Sequence, residues 1–360
     1  MVERLAKLRQ ELEKKNLDAI LIAQPENRRY LSSFTGSAGY LVVSQKKAVL
    51  ATDFRYIQQA KEQSPDWDIF RTLGDIHKWL PEVISDWHIE NIGFESRHIS
   101  YAVYQQLVET MSKFTQGVRL VAVDALVEQI RAIKDDGEIA SIMKAAKIAD
   151  DAFDYILTII HPDMTEKEAA WQIERFLRDN GSESVPFEII AASGPHSSLP
   201  HAQPSDRVFH VDEPILFDFG AKIEGYCSDL SRTVCLSSGE NQKFSEIYNI
   251  VLEAQMAAIN QIQAGISVGD ADSIARSVIR KYGYGDFFGH SLGHGIGLAT
   301  HESPVVGPLS TGILNNNMIF TVEPGIYLSD WGGVRIEDTV ILKNDRITVL
   351  SKADKLSGYF

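Results

Sequence analysis

The stretch EPILFDFGAKIEGYCSDLSRTV, residues 213–234, places an acidic side chain in each of two apolar strands. Asp218 ends the first strand, and Asp229 lies on the predicted return strand of a hairpin that turns near Glu224-Gly225. A charged carboxylate inside an apolar strand is costly unless it is paired or binds a metal ion. These two acids are therefore the first candidates for a buried polar site in a β-rich region.

Three more polar residues follow in similar settings. His294 lies in the glycine-rich GHSLGHGIGL, Glu323 ends the apolar strand MIFTVEPG, and Glu337 lies in the apolar strand GGVRIEDTVIL. One buried acid is commonly explained by a salt bridge or a hydrogen-bonded turn, but four acids in four strands exceed the Lys and Arg residues nearby. Two divalent cations would balance the four carboxylates, with His294 as a neutral fifth ligand.

This set of side chains indicates both an ion and a chemistry. Mostly oxygen ligands suit Mn²⁺, with Co²⁺ or Zn²⁺ as alternatives. Two such ions, roughly 3.5–4 Å apart, share and deprotonate one water and polarise a carbonyl group. The pattern favours a hydrolytic centre, while the alternative of separate structural ion pairs stays open.

Three further histidines, His201, His290 and His301, lie near these segments. The glycines around His290 and His294 disfavour a helix, so these two are not a helical pair of zinc ligands, and the segment after His301 is not H-E-x-x-H. An amide hydrolase needs a hydrogen-bond donor for the oxyanion and an acid for the leaving nitrogen. Imidazoles suit both roles, although a single histidine is more often a structural hydrogen-bonding residue.

Length and composition indicate two domains of an α+β protein. The chain has 360 residues, 44% apolar and 23% charged, and domains average about 150 residues. Residues 1–125 alternate predicted strands and helices, which indicates a mixed-sheet α/β domain. Residues 126–360 form the second domain; we expect Gly137 to interrupt its first helical stretch and Thr165 with Glu168 to cap the next helix.

Charge and cysteine content exclude other classes. The net charge of -14 lies entirely in residues 126–360, because residues 1–125 hold 16 basic and 16 acidic residues; we expect no nucleic-acid partner. No run of 18 apolar residues occurs, and MVERLAKLRQELEKK lacks the apolar region of a signal peptide, so we expect a cytoplasmic protein without a membrane partner. Cys227 and Cys235 are too few for a disulfide framework or a cysteine-based zinc site.

Five segments in order, ILFDFGA, GYCSDLSRT, GHGIGLATHE, VEPGIY and GGVRIEDT, resemble the pita-bread metallopeptidases, and within them the proline-specific branch of aminopeptidase P and prolidase. The resemblance covers essentially the whole chain. It implies a creatinase-like N-terminal domain and a catalytic domain with a pseudo-symmetric, curved antiparallel sheet backed by helices. It also implies that two divalent metal ions are held by Asp218, Asp229, His294, Glu323 and Glu337, with Asp229 and Glu337 bridging them.

The same resemblance assigns catalytic roles. His201, His290 and His301 are implied to bind substrate and stabilise the tetrahedral intermediate, and Glu323 is the candidate proton carrier. Tyr327 and Arg335 are implied to support the site. The implied reaction is hydrolysis of the Xaa-Pro bond in peptides with proline at the second position.

The resemblance is compatible with two activities, those of aminopeptidase P and of prolidase. Prolidases of this family commonly carry an Arg just after the HExP segment, where it binds the substrate carboxylate, whereas Val305 and Val306 stand there in this chain. No Lys or Arg occurs between His301 and Arg335, and an apolar site would tolerate a peptide that continues past proline. We therefore expect aminopeptidase P, with prolidase as the alternative.

Three further expectations rest on the resemblance. We expect a homodimer. A methionine aminopeptidase is disfavoured because such enzymes are usually shorter and lack a domain like residues 1–125. A non-catalytic binding protein of the same fold is disfavoured because all five ligand positions are retained.

Overall fold

The computed structural model describes residues 2–114, 117–236 and 241–355. The chain divides into two compact units, Met1–Arg131 and Ala132–Phe360. The predicted boundary after residue 125 lies just before a helix, Leu126–Ala132, that ends at this division.

The first unit alternates helices and strands. Its strands are β1 (Ala19–Ile22), β2 (Tyr40–Ser44), β3 (Ala48–Thr52), β4 (Asp68–Arg71), β5 (Asn91–Glu95) and β6 (Arg119–Val123). Its helices are α1 (Val2–Lys14), α2 (Pro25–Ser32), α3 (Ile57–Gln63), α4 (Ile76–Ile84), α5 (Tyr101–Phe114) and α6 (Leu126–Ala132).

One six-stranded sheet, in the order β4-β3-β2-β1-β5-β6, organises this unit. β1 lies inside the sheet, antiparallel to β2 and parallel to β5. All four residues of β1, the apolar run AILI, are buried, as expected for a strand covered on both faces. The prediction of a mixed-sheet α/β unit is therefore confirmed.

The second unit combines antiparallel strands with four long helices. Its helices are α7 (Asp136–Ile159), α8 (Glu166–Asp179), α9 (Gln242–Gln261) and α10 (Val268–Lys281). Its strands are β7 (Ile190–Ser193), β8 (Pro214–Phe219), β9 (Lys222–Ile223), β10 (Tyr226–Cys227), β11 (Leu230–Cys235), β12 (Gly293–Gly295), β13 (Glu302–Val306), β14 (Ile319–Val322), β15 (Gly325–Leu328), β16 (Gly332–Arg335), β17 (Asp338–Lys343) and β18 (Arg346–Val349).

The apolar core of the second unit has two comparable halves. Helices α7 and α8 pack against the sheet β11-β8-β7 through residues such as Phe153, Ile173 and Phe217. Helices α9 and α10 pack against the sheet β13-β12-β14-β17-β18 through residues such as Val251 and Phe320. Two helices on an antiparallel sheet in each half agree with the predicted pseudo-symmetric catalytic domain.

Local sequence signals set the helix ends. Thr165 and Glu168 form the predicted capping box at the start of α8, which satisfies amide groups that have no partner inside the helix. The predicted interruption at Gly137 is wrong. The helical stretch breaks just before Asp135, which caps α7 together with Glu138, and Gly137 lies in the first turn of α7.

Cys227 and Cys235 are both buried. Among the helices of the described residues, none combines the length and apolar character that a membrane span requires.

Arg232 in β11 joins three distant segments of the second unit. Its guanidinium donates to the carbonyl oxygen of Glu337, to Asp338 Oδ1 at 2.8 Å, and to the carbonyl oxygens of Ala353 and Asp354 at 2.7 and 3.1 Å. Arg232 is only 1% exposed. Because a planar guanidinium donates in several directions at once, one side chain fixes β11, the start of β17 and the segment after β18.

Arg232→Met should therefore destabilise the second unit strongly. Breaking a buried ion pair costs about 3–5 kcal/mol, which corresponds to a fall of roughly 10 °C in the unfolding midpoint. Differential scanning calorimetry measures this change. The exposed Arg346 of β18 supplies the control, because Arg346→Met should change stability by less than about 0.5 kcal/mol. Equal midpoints for the two variants would contradict the role of Arg232.

Candidate metal centre

Separate strands of the second unit bring the predicted ligands together. Asp218 lies in β8, and Asp229 immediately precedes β11, which pairs with β8. His294 is the middle residue of β12, Glu323 follows β14, and Glu337 precedes β17. β12 pairs with β14, which in turn pairs with β17. Pairing thus gathers Asp218 and Asp229 at one sheet and the other ligands at a second sheet. The amide of Glu337 donates to the carbonyl oxygen of Ser231 at 3.0 Å, which joins the two sheets.

The glycines around His294 allow β12 to fit between its neighbours. A Cβ atom on Gly293 would lie 1.9 Å from the carbonyl oxygen of Thr321, and one on Gly295 would lie 2.1 Å from that of Ser303. Only glycine permits backbones to approach so closely. The glycine-rich sequence is therefore required for His294 to lie beside the carboxylates.

The imidazole of His294 presents a lone pair to two carboxylates. Its Nδ1 lies 3.1 Å from the carbonyl oxygen of Gly295; a carbonyl oxygen only accepts, so Nδ1 carries the proton. Burial lowers the pKa of His294, which keeps the ring neutral and leaves Nε2 without a proton. Nε2 lies 3.6 Å from Asp229 Oδ2 and 3.4 Å from Glu323 Oε1, so one nitrogen lone pair and two carboxyl oxygens face the same small space.

Three carboxylate oxygens of the same cluster are buried without a hydrogen-bond donor: Asp218 Oδ1, Asp229 Oδ1 and Glu337 Oε1. Ligand atoms of Asp229, His294 and Glu337 lie within 4.8 Å of one another. Buried polar atoms are normally satisfied, and either protons or bound cations would supply the missing partners here. The oxygen-rich donor set with one imidazole fits divalent cations.

Burial and mutual repulsion disturb the acids strongly. Burial raises the pKa values of Asp229 and Glu337 well above their ordinary range, and the neighbouring carboxylates add to this effect. Burial also raises the pKa of Glu323 to about 7. Such perturbed groups in one buried cluster are typical of functional sites.

A chain of hydrogen bonds supports one side of the cluster. Arg335 donates to Asp218 Oδ2 at 2.6 Å and to the Tyr327 hydroxyl at 2.9 Å. The Tyr327 hydroxyl lies 2.9 Å from His290 Nε2. Because His290 Nδ1 donates to the carbonyl oxygen of Ser291 and burial lowers the pKa of His290 to about 4, Nε2 accepts from Tyr327. Arg335, Tyr327 and His290 therefore form one connected support for Asp218.

The other two predicted histidines are exposed. The rings of His301 and His294 have centres 4.2 Å apart, and partial burial followed by the neighbouring His294 lowers the pKa of His301. His201 lies close enough that its positive charge would lower the pKa values of both His290 and His301. His290 and His301 are thus linked to the cluster through Tyr327 and His294. The carbonyl oxygen of Pro200, the residue before His201, lies 3.4 Å from Arg335 Nη1.

Hydroxyl residues near the acids were missed by the sequence analysis. Ser231 donates to Glu337 Oε2 at 2.7 Å, and Thr321 donates to Glu323 Oε1 at 3.0 Å. Thr339 donates to the carbonyl oxygen of Asp229 at 2.8 Å. Each hydroxyl residue stands two positions from a predicted acidic ligand, and side chains two apart share a strand face. That spacing is the signal that could have found them.

Comparison with known proteins identifies the family. The model of metallopeptidase family M24 matches residues 140–344, and the creatinase/prolidase N-terminal domain matches residues 4–133. The chain belongs to metallopeptidase family M24. The implied pita-bread fold and the expectation of a proline-specific metallo-hydrolase agree with this membership.

Relatives of similar length share this two-part organisation. The chain is 36% identical to an Xaa-Pro dipeptidase of Pyrococcus horikoshii, over 99% of this chain and 98% of the relative. It is 39% identical to an Xaa-Pro dipeptidase from Bacillus anthracis, with a TM-score of 0.95 over 100% and 99% of the two chains. It is 37% identical to an X-Pro aminopeptidase from Thermotoga maritima, with a TM-score of 0.89 over 99% of each chain.

These M24 relatives do not specifically support the expectation of aminopeptidase P. An alanine variant of Escherichia coli aminopeptidase P is only 19% identical, with a TM-score of 0.82 over 99% of this chain and 96% of that one, so it shares the fold alone. Two of the three more similar proteins described above are named Xaa-Pro dipeptidases. The alternative, prolidase, is the better supported of the two activities.

The raised pKa values predict how the metal-free protein responds to pH. From pH 7 to 8.5 the native state still binds protons on its buried acids, among them Glu323 with its pKa of about 7, that the unfolded state has already lost. Stability therefore decreases as pH rises through this window. Thermal unfolding of chelator-treated protein should show a falling midpoint, and Glu337→Gln should make that fall less steep. Equal slopes for the wild type and the variant would contradict this account of the acids.

Proposed function

We propose that the protein is a dinuclear metallo-exopeptidase that hydrolyses the Xaa-Pro bond of dipeptides. The observation that carries the proposal is the buried cluster in which three carboxylate oxygens lack a donor while His294 Nε2 presents a lone pair. The names of the relatives from Pyrococcus horikoshii and Bacillus anthracis supply the substrate class.

We propose that two divalent ions, preferably Mn²⁺, are held by Asp218, Asp229, His294, Glu323 and Glu337. When bound, the ions supply a Lewis acid for the carbonyl oxygen of Xaa and a water activated at neutral pH. Asp229 and Glu337 would be the most deeply buried acidic ligands of these ions, because they are 5% and 1% exposed and each keeps one oxygen without a donor.

Glu323 is proposed to move the proton. Thr321 donates to its Oε1, so the other oxygen would receive a proton from water and deliver it to the proline nitrogen as the peptide bond breaks. Before ions bind, burial raises the pKa of Glu323 to about 7, which supports a role in carrying a proton near neutral pH. The proline nitrogen carries no hydrogen in the substrate, and the delivered proton becomes the N–H of the released proline.

His201 and His301 are proposed to contact the substrate because both are exposed beside the cluster. The lowered pKa of His301 keeps its ring neutral, and a neutral imidazole can donate one hydrogen bond to the carbonyl oxygen as that oxygen becomes negative. His290 is proposed to act through Tyr327, since both of its ring nitrogens have partners.

Aminopeptidase P remains a second candidate because of Val305. This residue pairs across the strands with His294, so both side chains lie on one face of the sheet, and Val305 is 51% exposed. Arg335 is committed to Ser231, Tyr327 and Asp218. An apolar residue at this face would let a peptide continue past proline, as the name of the Thermotoga maritima relative implies for that protein.

Removing Asp229 or Glu337 should reduce metal binding and abolish most of the activity together. Asp229→Ala and Glu337→Ala should each bind less than the full complement of two Mn²⁺ and lose activity by at least about a thousandfold. His301→Ala should keep its metal and lose roughly 10²–10³-fold in kcat, the usual cost of one oxyanion donor. Elemental analysis and steady-state kinetics measure both effects, with the exposed Asp286→Ala as control. Full activity in Asp229→Ala would overturn the dinuclear site.

A paired assay with Mn²⁺ separates the two candidates. The dipeptide Ala-Pro should be cleaved, and the tripeptide Ala-Pro-Ala should be cleaved slowly or not at all. Val305→Arg adds a cation beside His294 and should improve KM for Ala-Pro by about tenfold, the effect of one charged hydrogen bond. Val211→Arg, at a position with 50% exposure, is the control.

Each outcome of this assay has a meaning. Rapid release of alanine from Ala-Pro-Ala would establish aminopeptidase P in place of the dipeptidase. Inactivity on both peptides with Mn²⁺, Co²⁺ and Zn²⁺ would refute the proposed function.

A further inference from the structure

An ion pair inside the second unit has no part in the ligand cluster. Asp272 and Arg276 stand four residues apart on α10, where side chains four apart are neighbours. Arg276 donates to both carboxylate oxygens of Asp272, at 2.6 and 2.8 Å. Asp272 is 0% and Arg276 7% exposed, so this is a core pair and not one of the weak pairs of a helix surface.

The pair binds the backbone of the segment that carries His290. Arg276 donates to the carbonyl oxygens of Phe288 and His290, both at 2.7 Å. Asp272 Oδ1 accepts from the amide of Leu292 at 3.0 Å. Three alternate residues of one irregular segment are therefore held by two side chains of one helix.

Aromatic packing reinforces these hydrogen bonds. The guanidinium of Arg276 lies 4.1 Å from the centre of the Phe288 ring, within the range of a cation–π contact. The Phe288 ring meets the His290 ring edge to face, with centres 5.0 Å apart. The imidazole is thus supported through both its backbone and its neighbouring ring.

Hydrogen bonds connect this segment to two of the acidic residues. The carbonyl oxygen of Leu292 accepts from the amide of Glu323 at 2.8 Å. His290 Nε2 accepts from Tyr327, whose hydroxyl also accepts from Arg335, and Arg335 binds Asp218. Any shift of the segment would therefore alter the contact between His290 and Tyr327.

A buried ion pair is expensive and contributes little net stability compared with apolar residues of similar volume. The pair instead fixes the orientation of the backbone that it binds. A planar guanidinium can bind a carboxylate and two carbonyl groups at fixed angles, whereas a lysine ammonium cannot. The chemistry of the pair therefore matches a positioning task.

We propose that Asp272 and Arg276 are positioning residues that fix residues 288–292 so that His290 holds the Tyr327 hydroxyl toward Arg335. This inference rests on the proposed function where it concerns the rate of peptide hydrolysis. The order of the segment itself is independent of that function.

Arg276→Lys tests the proposal, because it keeps the charge and the helix but loses the planar geometry. In the Mn²⁺-loaded enzyme we expect kcat for Ala-Pro, or for Ala-Pro-Ala if that is the substrate, to fall roughly 10–100-fold, the cost of a small misplacement. KM and bound Mn²⁺ should stay within about twofold. Arg280→Lys, exposed on the same helix, is the control and should match the wild type.

Combining Arg276→Lys with Tyr327→Phe distinguishes positioning from general destabilisation. If Arg276 acts through the contact between His290 and Tyr327, Arg276→Lys should lower kcat by less than about twofold in the Tyr327→Phe background. The effects of substitutions at coupled residues are not additive. The same loss in both backgrounds, or an unchanged kcat in Arg276→Lys, would overturn the positioning role.

Hydrogen exchange tests the segment without relying on catalysis. Peptides that cover residues 288–292 should exchange faster in Arg276→Lys than in Arg280→Lys, in metal-free and Mn²⁺-loaded protein alike. Unchanged exchange would overturn the proposal. If the wild-type enzyme cleaves neither peptide, the proposed function fails, and this measurement alone decides whether the pair orders the segment.

Discussion

Mutual repulsion between buried carboxylates is the constraint on which the second unit depends. Burial, and then the charges of the neighbouring carboxylates, raise the pKa values of Asp229 and Glu337, and Arg335 forms its ion pair with Asp218. Such an arrangement is unfavourable unless cations or protons compensate it. The strands that carry these acids must therefore be held in place by interactions outside the cluster.

The surrounding structure supplies that restraint in three ways. Hydroxyl groups of Ser231, Thr321 and Thr339 bind the acids or their backbone. Buried cationic side chains join segments that are distant in sequence: Arg232 fixes the start of β17, and Lys134 binds Glu302 at 2.9 Å beside His301. Apolar packing of α7 to α10 holds the sheets in turn. The repulsive cluster persists because a large, well-packed unit determines its geometry.

The sequence identified the acids because charged residues at the ends of apolar runs conflict with simple burial, and it identified the capping box at Thr165 because that signal is local. The polar segment Pro25–Ser32 was not predicted as helix α2, since its apolar residues are too few for a clear periodicity. Asp272 and Arg276 could not be recognised because an i, i+4 pair looks the same in sequence whether it is exposed or buried. The choice between prolidase and aminopeptidase P rested mainly on Val305, Val306 and the missing Lys or Arg after His301, and a few positions in one segment cannot describe how a whole substrate is bound.

The hydrogen bonds of Arg232 impose an order on biosynthesis. Its partners include the carbonyl oxygens of Ala353 and Asp354, and Ser351 Oγ accepts from the amide of Thr339. While the ribosome is still adding these residues, β11 and β17 lack part of what fixes them. The complete network can form only after residues 351–354 have left the exit tunnel, so the centre cannot be completed when β11 has just been translated and these partners have not.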